Sequence, residues 1–270
     1  MSVSPVSSSP PVSAVMITFN SARILPAVLG ALTWCDEIVV VDSGSTDQTL
    51  AIAQHFGCRV LHRDFNGFGQ QKGFAVDQAR NHWVLVVDAD EVVTDALRSE
   101  IQLRLAEAEA GTLSFRGFEV PISLVFLGRL MRYGGEYKMP HLRLFDKRFG
   151  NYNSARVHED VVLQGSVGKL THHMLHDSYG SLHEYFEKFN RYTTAGAHDL
   201  QSRGRHGSIA QIVFRLPITF LKEYLLKQNF LNGYPGFIWS LFSAMYPVVK
   251  YAKLRELENS GQAHPVSRVS

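Results

Sequence analysis

The 270-residue sequence is poor in the features that mark several protein classes. It holds two cysteines, Cys35 and Cys58, in no metal-ligand spacing. Two thiols cannot staple a small disulfide fold, and they fit a reducing compartment in which both serve packing or sit at the surface. Charged residues make up only 19%, and 27 basic side chains stand against 25 acidic ones, for a net charge of +2. That balance gives no case for a nucleic-acid glove, so any electrostatic function must come from local placement. No run of about 18–20 apolar residues occurs, so no spanning helix is expected. The uncharged stretch from Gln228 to Val249 comes nearest, but Asn229, Asn232, Gly233, Pro235 and Gly236 interrupt it. Met1 to Ser13 lacks the basic and apolar regions of a signal peptide and reads as a disordered tail. There is no internal repeat.

What is present is 45% hydrophobic residues, enough to bury a core in a chain of this length. From Ala14 to about Glu109, short apolar runs alternate with helical patterns. Strands are expected at Val15–Ile17, Ile38–Val41, Val60–Leu61 and Trp83–Val87, the first, second and fourth ending on Thr18, Asp42 and Asp88. A helix with Ile24, Leu25, Val28, Leu29 and Leu32 inward must begin late or kink, because Pro26 lies within it. Ser45-Thr46-Asp47-Gln48 has the spacing of a capping box, with a helix running to Gly57. Further helices are expected over Gln70–Arg80 and after Thr94. Strands that alternate with helices argue for a parallel, doubly wound sheet with ligands at the carboxyl ends of the strands. Broken strands follow at Phe118–Val125, His141–Phe145 and Val161–Leu163, and a helical pattern from Leu182 to Leu257.

Asp88-Ala89-Asp90 places two carboxylates at a strand end, oxygen donors of the kind that suit Mg²⁺ or Mn²⁺. Such triplets are common in plain turns, and it is the preceding buried strand that aims this one at the sheet crevice. Glu91 is better placed to orient the turn than to bind metal. Asp42 can accept from a base N–H or a ribose hydroxyl, although every residue of the Asp42–Asp47 turn is also a normal choice for a capped turn. That turn lacks Gly-x-Gly-x-x-Gly, so dinucleotide binding is disfavoured. Gly67-Phe68-Gly69 reads as a flexible loop before Lys72, which could reach a phosphate. Val157-His158-Glu159-Asp160 offers an acid for general-base work, with His158 as a metal ligand or orienting group, against the plainer reading of a solvated loop. His172, His173 and His176 have no cysteine partners and no His-Glu-x-x-His pattern to support structural zinc.

Taken in order, Thr18-Phe19-Asn20, the Asp42–Asp47 turn, Gly67 to Lys72 and Asp88–Glu91 resemble glycosyltransferase family 2, with its GT-A fold. Val157-His158-Glu159 and Lys188–Tyr192 look like the branch containing lipopolysaccharide-core β-1,4-glucosyltransferases, and the resemblance spans about residues 13–257. It implies a Rossmann-like, mostly parallel α/β sheet flanked by helices, with a C-terminal helical extension. It also implies an inverting transfer of a hexose, glucose from UDP-glucose, to a hydroxyl of a bacterial envelope glycan such as the lipopolysaccharide inner core. Thr18 and Asp42 would hold the uridine, with Asn20 lining the same pocket. Lys72 would lie near the nucleotide or diphosphate, Arg143 could neutralise the leaving diphosphate or an anionic acceptor, and Asp88 would approach the ribose or donor sugar. Asp90, with Asp88, would bind Mg²⁺ or Mn²⁺. Glu159 would be the base, with Asp160 the alternative. Relatives often have Asp-Gly where this chain has Asn232-Gly233, so an acidic role there is lost.

The expected organisation is a tail at 1–12, the GT-A domain at 13–180, a helical lobe at 181–257 and a flexible tail at 258–270. Aromatic residues from Phe214 to Tyr251 interleave with Arg215, Lys222, Lys227, Lys250, Lys253 and Arg255. They suit either an interfacial helix on an anionic leaflet or the core of a helical lobe or dimer seam. The expected location is cytoplasmic, with peripheral contact on the inner face of the membrane if the acceptor is lipid-linked. No nucleic-acid partner is expected, and oligomeric state is not legible. Other acceptors, a sugar nucleotidyltransferase and a nucleotide-sugar-binding protein without turnover are the competing readings. The nucleotidyltransferase would need a Gly-rich basic loop after the first strand, which Thr18–Arg23 does not supply.

Overall fold

The computed structural model describes residues 10–153 and 159–260. The chain divides into two compact units, residues 1–125 with 137–178, and residues 126–136 with 179–270.

The first unit is built on a sheet whose first four strands are β1 (Val12–Thr18), β2 (Glu37–Asp42), β3 (Arg59–His62) and β4 (Trp83–Val86). They run parallel in the order β3-β2-β1-β4. The register sets Thr18 beside Asp42 and Asp42 beside His62, so the polar strand ends line one edge. Both faces of β1, β2 and β4 are covered, which is why their sequences are apolar without alternation. Val15, Val39, Val41, Val84 and Val86 pack on one side with Ala75 and Val76. Ala14, Met16, Val40 and Leu85 pack on the other with Leu25, Leu29, Leu97 and Ile101.

Helices α1 (Leu25–Gly30), α2 (Thr49–His55) and α3 (Phe68–Gln78) connect the parallel strands. Pro26 is accommodated in the first turn of α1, where its missing N–H costs nothing. Two expectations about helix starts are corrected. The capping box at Ser45–Gln48 does not form: α2 begins at Thr49, whose N–H donates to Asp47 Oδ1 at 2.9 Å, while the Ser45 hydroxyl turns to Asp42. Gly67-Phe68-Gly69 is not a loop before Lys72. Gly67, at φ +124°, closes the loop, and α3 starts at Phe68, two residues before the expected Gln70, with Lys72 inside the helix as expected.

After β4 the chain forms β5 (Glu91–Val93), then α4 (Asp95–Glu109), where the Thr94 hydroxyl accepts from Leu97 N–H. Strands β6 (Gly117–Phe126), β7 (Arg129–Leu130) and β8 (Met139–Asp146) follow. The hairpin β9 (Gly150–Tyr152) and β10 (Val161–Leu163) precedes β11 (Val167–Lys169) and β12 (Met174–His176). The sheet continues β4-β8-β6-β12-β5, with β8 antiparallel to both of its neighbours. The fold is mixed α/β on a mostly parallel sheet, as expected.

The second unit is helical: α5 (Leu182–Ser202), α6 (Ile209–Leu221), a π turn at Lys222–Leu226, a 3₁₀ turn at Asn229–Asn232 and α7 (Tyr234–Ser260). Its interior is aromatic, with Tyr185 against Phe126, Phe189, Trp239 and Phe242. Asn232 ties the 126–136 segment to the helices. Its Oδ1 accepts from the N–H groups of Arg132 and Tyr133 at 2.9 and 3.2 Å, and its Nδ2 donates to the Tyr133 carbonyl at 3.0 Å. Among the described residues, no helix is long and apolar enough to cross a membrane.

Candidate active site

The turn after β2 is organised by Asp42. The Thr18 hydroxyl donates to its Oδ1 at 2.8 Å, and the N–H groups of Gly44 and Ser45 donate to Oδ2 at 2.9 and 2.8 Å. Burial opposes the charge on Asp42, but these bonds, led by Ser45, outweigh it and hold the carboxyl below its ordinary value. Asn20 adopts a left-handed conformation (φ +49°), and its Oδ1 accepts from Thr46 N–H at 2.9 Å. Thr18 is thus bonded to Asp42 directly, and Asn20, whose N–H donates to Ser45 Oγ at 2.8 Å, is joined to it through Ser45. Gln71, on α3, donates to Ser43 Oγ and to the Arg63 carbonyl, while its buried Oε1 has no partner among the described residues.

A charged cluster lies at the end of β4. Lys72 Nζ is 2.9 Å from Asp88 Oδ1 and 3.3 Å from Glu159 Oε1. Arg143 Nη2 meets Asp88 Oδ2 at 2.7 Å and Glu91 Oε1 at 2.8 Å. Lys72, Arg143 and Glu91 are buried, whereas Asp88 keeps 30% of its side chain exposed. Burial works against every charge here, yet Arg143 and Lys72 hold Asp88 far below the ordinary carboxylate range. Lys72 is raised despite its burial, chiefly by Asp88. Glu91 goes the other way: burial raises it, Asp88 adds to that, and Arg143 only partly compensates. Glu91 also accepts the Asp88 N–H at 2.9 Å, fixing the turn.

Asp90 lies beside His176 of β12, with Oδ2 and Nε2 3.3 Å apart. Burial would lower the His176 pKa, but the hydrogen bond and charge of Asp90 raise it. The carboxylate oxygens of Asp90 and the neighbouring Asp88 are donors of the kind that fit Mn²⁺ or Mg²⁺. Among the described residues no group of three His, Cys, Asp or Glu side chains is placed to hold a metal ion. An ion here would therefore need water or ligand oxygens to complete its shell, the usual arrangement for Mg²⁺ beside a diphosphate.

The structure brings Lys72, Asp88, Arg143 and Glu159 together directly, and joins Thr18, Asn20 and Asp42 in the adjoining turn. Asp160 has an exposed side chain. Val157 and His158 lie outside the described residues. Sequence reasoning missed Gln71, Tyr152 and the pairing of His176 with Asp90. Tyr152 hydrogen-bonds Arg143 and is held above its ordinary pKa, mainly by burial. Only the spacing of Gln71 and Lys72 on one helix offered a signal, because the other contacts join distant strands.

Residues 13–158, more than half of the chain, match Glycosyl transferase family 2. The chain belongs to that family. Among its relatives is the lipopolysaccharide core biosynthesis glycosyltransferase LpsC of Rhizobium meliloti, 31% identical over 251 residues that cover 90% of this chain and 92% of LpsC. A glycosyltransferase of Rickettsia bellii is 31% identical over 95% of this chain and 90% of its own. A solved structure of S. aureus TarS 1–349 in complex with UDP-GlcNAc is 15% identical, with a TM-score of 0.46 over 94% of this chain and 93% of that one.

Proposed function

We propose that this family 2 transferase moves glucose from UDP-glucose, with inversion, to a hydroxyl of a bacterial envelope glycan, the lipopolysaccharide inner core. The kinship with LpsC supports the acceptor class. The observation that carries the site assignment is the double contact of Lys72, whose buried ammonium touches both Asp88 and Glu159. A base and a phosphate-binding cation are then held at one sheet edge.

In this reading Thr18, Asn20 and Asp42 hold the uridine and Asp88 faces the ribose or donor sugar. Lys72 and Arg143 stabilise the leaving diphosphate. Glu159 takes the proton of the acceptor hydroxyl as its oxygen attacks the anomeric carbon, from the face opposite the departing diphosphate. The C–O bond to the acceptor forms as the bond to the nucleotide breaks, so no sugar–enzyme intermediate is required. Mg²⁺ or Mn²⁺ held by Asp90 with Asp88 would add Lewis-acid stabilisation of the diphosphate when bound. Asp160, being exposed, is the weaker alternative for the base. The proposed location is the cytoplasm, where UDP-sugars are used.

Calorimetric titration with UDP-glucose, with and without Mn²⁺, tests the donor site. Metal-dependent binding lost in Asp90→Ala is expected, and absence of binding to any uridine nucleotide would overturn the reading. Glu159→Gln should lower transfer by about 10²–10⁴-fold while donor binding persists. Full transfer activity in that variant would remove Glu159 as the base.

A further inference from the structure

The second unit leaves an apolar face uncovered along α6 and the π turn. From Val213 to Ile218 six successive residues are exposed, and only Arg215 among them is charged. Phe214 is 63% exposed, Ile218 64% and Leu226 79%. Phe214, Ile218, Leu221 and Leu225 follow the spacing of a single helical stripe, and all four are exposed. Contacts to α7 come from other positions: Phe220 and Tyr224, both half-buried, meet Phe237, and the Arg215 guanidinium lies over Tyr251 at 4.7 Å while the residue stays exposed. Soluble chains rarely leave so continuous an apolar surface open to water.

The aromatic residues singled out from the sequence divide between two roles. Trp239, Phe242 and Tyr246 pack against Tyr185 and Phe189, with Phe242 buried and Trp239 and Tyr246 half-buried in the wall of an aromatic cavity. Phe214 faces out, and most of its exposed companions are aliphatic residues of α6 and the π turn.

We infer that this face docks on an anionic lipid bilayer, with α6 lying in the plane of the interface. Charge argues for that occupant. Between Gly204 and Ser240 the chain has four basic residues, Arg205, Arg215, Lys222 and Lys227, and one acid, Glu223, a larger positive excess than the +2 of the entire chain. Arg205, Arg215 and Lys222 are exposed. Anionic headgroups attract such a rim while the apolar stripe enters the acyl boundary. A symmetric second copy would bring two like-charged rims together. No described helix can span, so the contact lies on the membrane and does not cross it.

Co-sedimentation of the full-length protein tests the inference, using vesicles of phosphatidylcholine alone or with about one-third phosphatidylglycerol. Pelleting is expected with the anionic vesicles only and should fall as salt rises. Phe214→Asp with Leu225→Asp should weaken it at least about tenfold. Because both positions are exposed, the circular dichroism spectrum and UDP binding should stay unchanged. Failure to pellet, or pelleting indifferent to these substitutions, would overturn the inference. So would a discrete dimer in sedimentation velocity that the same substitutions dissolve, without vesicle binding. UDP binding is read separately, so failure of the donor assignment and failure of the membrane face remain distinguishable.

Discussion

Replacing Arg143 by Met should reveal how far one buried cation holds the site together. Arg143 is 8% exposed at its side chain and contacts Asp88 and Glu91, the latter 3% exposed. Removing one partner of a buried ion pair costs about 3–5 kcal/mol, because the remaining charge is left uncompensated. Asp88 keeps Lys72 and some water, so the stranded group is Glu91, and the lower end, about 3 kcal/mol, is expected. For a unit of this size that corresponds to a fall in Tm of about 6–12 °C. Glu91 can relieve part of the cost by taking a proton, since burial already raises its pKa. A carboxyl whose folded pKa lies above its unfolded value stabilises at low pH and loses that contribution as pH rises through the folded pKa. The gap between Arg143→Met and wild type should therefore narrow as pH falls. Glu91→Gln added to Arg143→Met should recover about 1–3 kcal/mol in a double-mutant cycle. Thermal and urea melts across pH supply all three measurements. A loss below about 1 kcal/mol, or no recovery with Glu91→Gln, would refute the view of Arg143 as the compensating charge.

Other substitutions probe separate parts of the architecture. Asn232→Asp removes the donor that serves the Tyr133 carbonyl and Asn229 Oδ1 and sets a carboxylate against both, at an expected cost of about 2–3 kcal/mol in urea unfolding. Retention of wild-type stability would show that the amide donor is dispensable there. In Gly150→Ala the new Cβ would meet the Val162 carbonyl and the Leu163 backbone across the β9–β10 pair. The connection that carries Glu159 should shift, lowering turnover by about tenfold or more while UDP binding remains, because a small misplacement of a catalytic group is costly. Equal activity in steady-state assays would argue that this hairpin does not set the position of Glu159. The depressed pKa of Asp42 contributes stability that is fully present above its ordinary value of 3.8 and lost as pH falls through the folded value. Asp42→Asn should accordingly flatten the acid limb of Tm against pH, and an unchanged slope would contradict the hydrogen-bond account.

The central strands are legible in the sequence because burial on both faces leaves a plain signal, an apolar run ending abruptly on Thr18, Asp42 or Asp88. The start of α3 is less legible. Glycine-rich residues ahead of a polar helix resemble a loop, yet a single left-handed glycine at Gly67 is enough to launch the helix at Phe68. The apparent capping box at Ser45 fails for a different reason. Its hydroxyl is drawn to a carboxylate three residues earlier, a local contact that competes with capping. Most of the charged cluster is invisible to local reading, since Lys72 and Glu159 are separated by 87 residues and Arg143 and Asp88 by 55. Residue type suggested each candidate, but only the antiparallel placement of β8 against β4 brings Arg143 to the strand end where Asp88 sits.

The charge balance of that cluster bears on the chemistry proposed for it. Two buried cations, Lys72 and Arg143, face three carboxyl groups, Asp88, Glu91 and Glu159. The upward shift of Glu91 is the expected response of a carboxyl left with too little positive charge in a dry setting. A diphosphate entering this cluster would bring further negative charge to cations already engaged by Asp88. Attraction to Lys72 and Arg143 is therefore offset by repulsion from the carboxyls, and little net binding energy is expected from the side chains alone. A divalent cation held at Asp90 would change that sum by cancelling part of the incoming charge, while Asp88 could keep Lys72 and Arg143 as partners. The same carboxyl groups that leave little net energy for unassisted diphosphate binding thus give a physical reason to expect that donor binding will require a metal, which the calorimetric titration with and without Mn²⁺ tests.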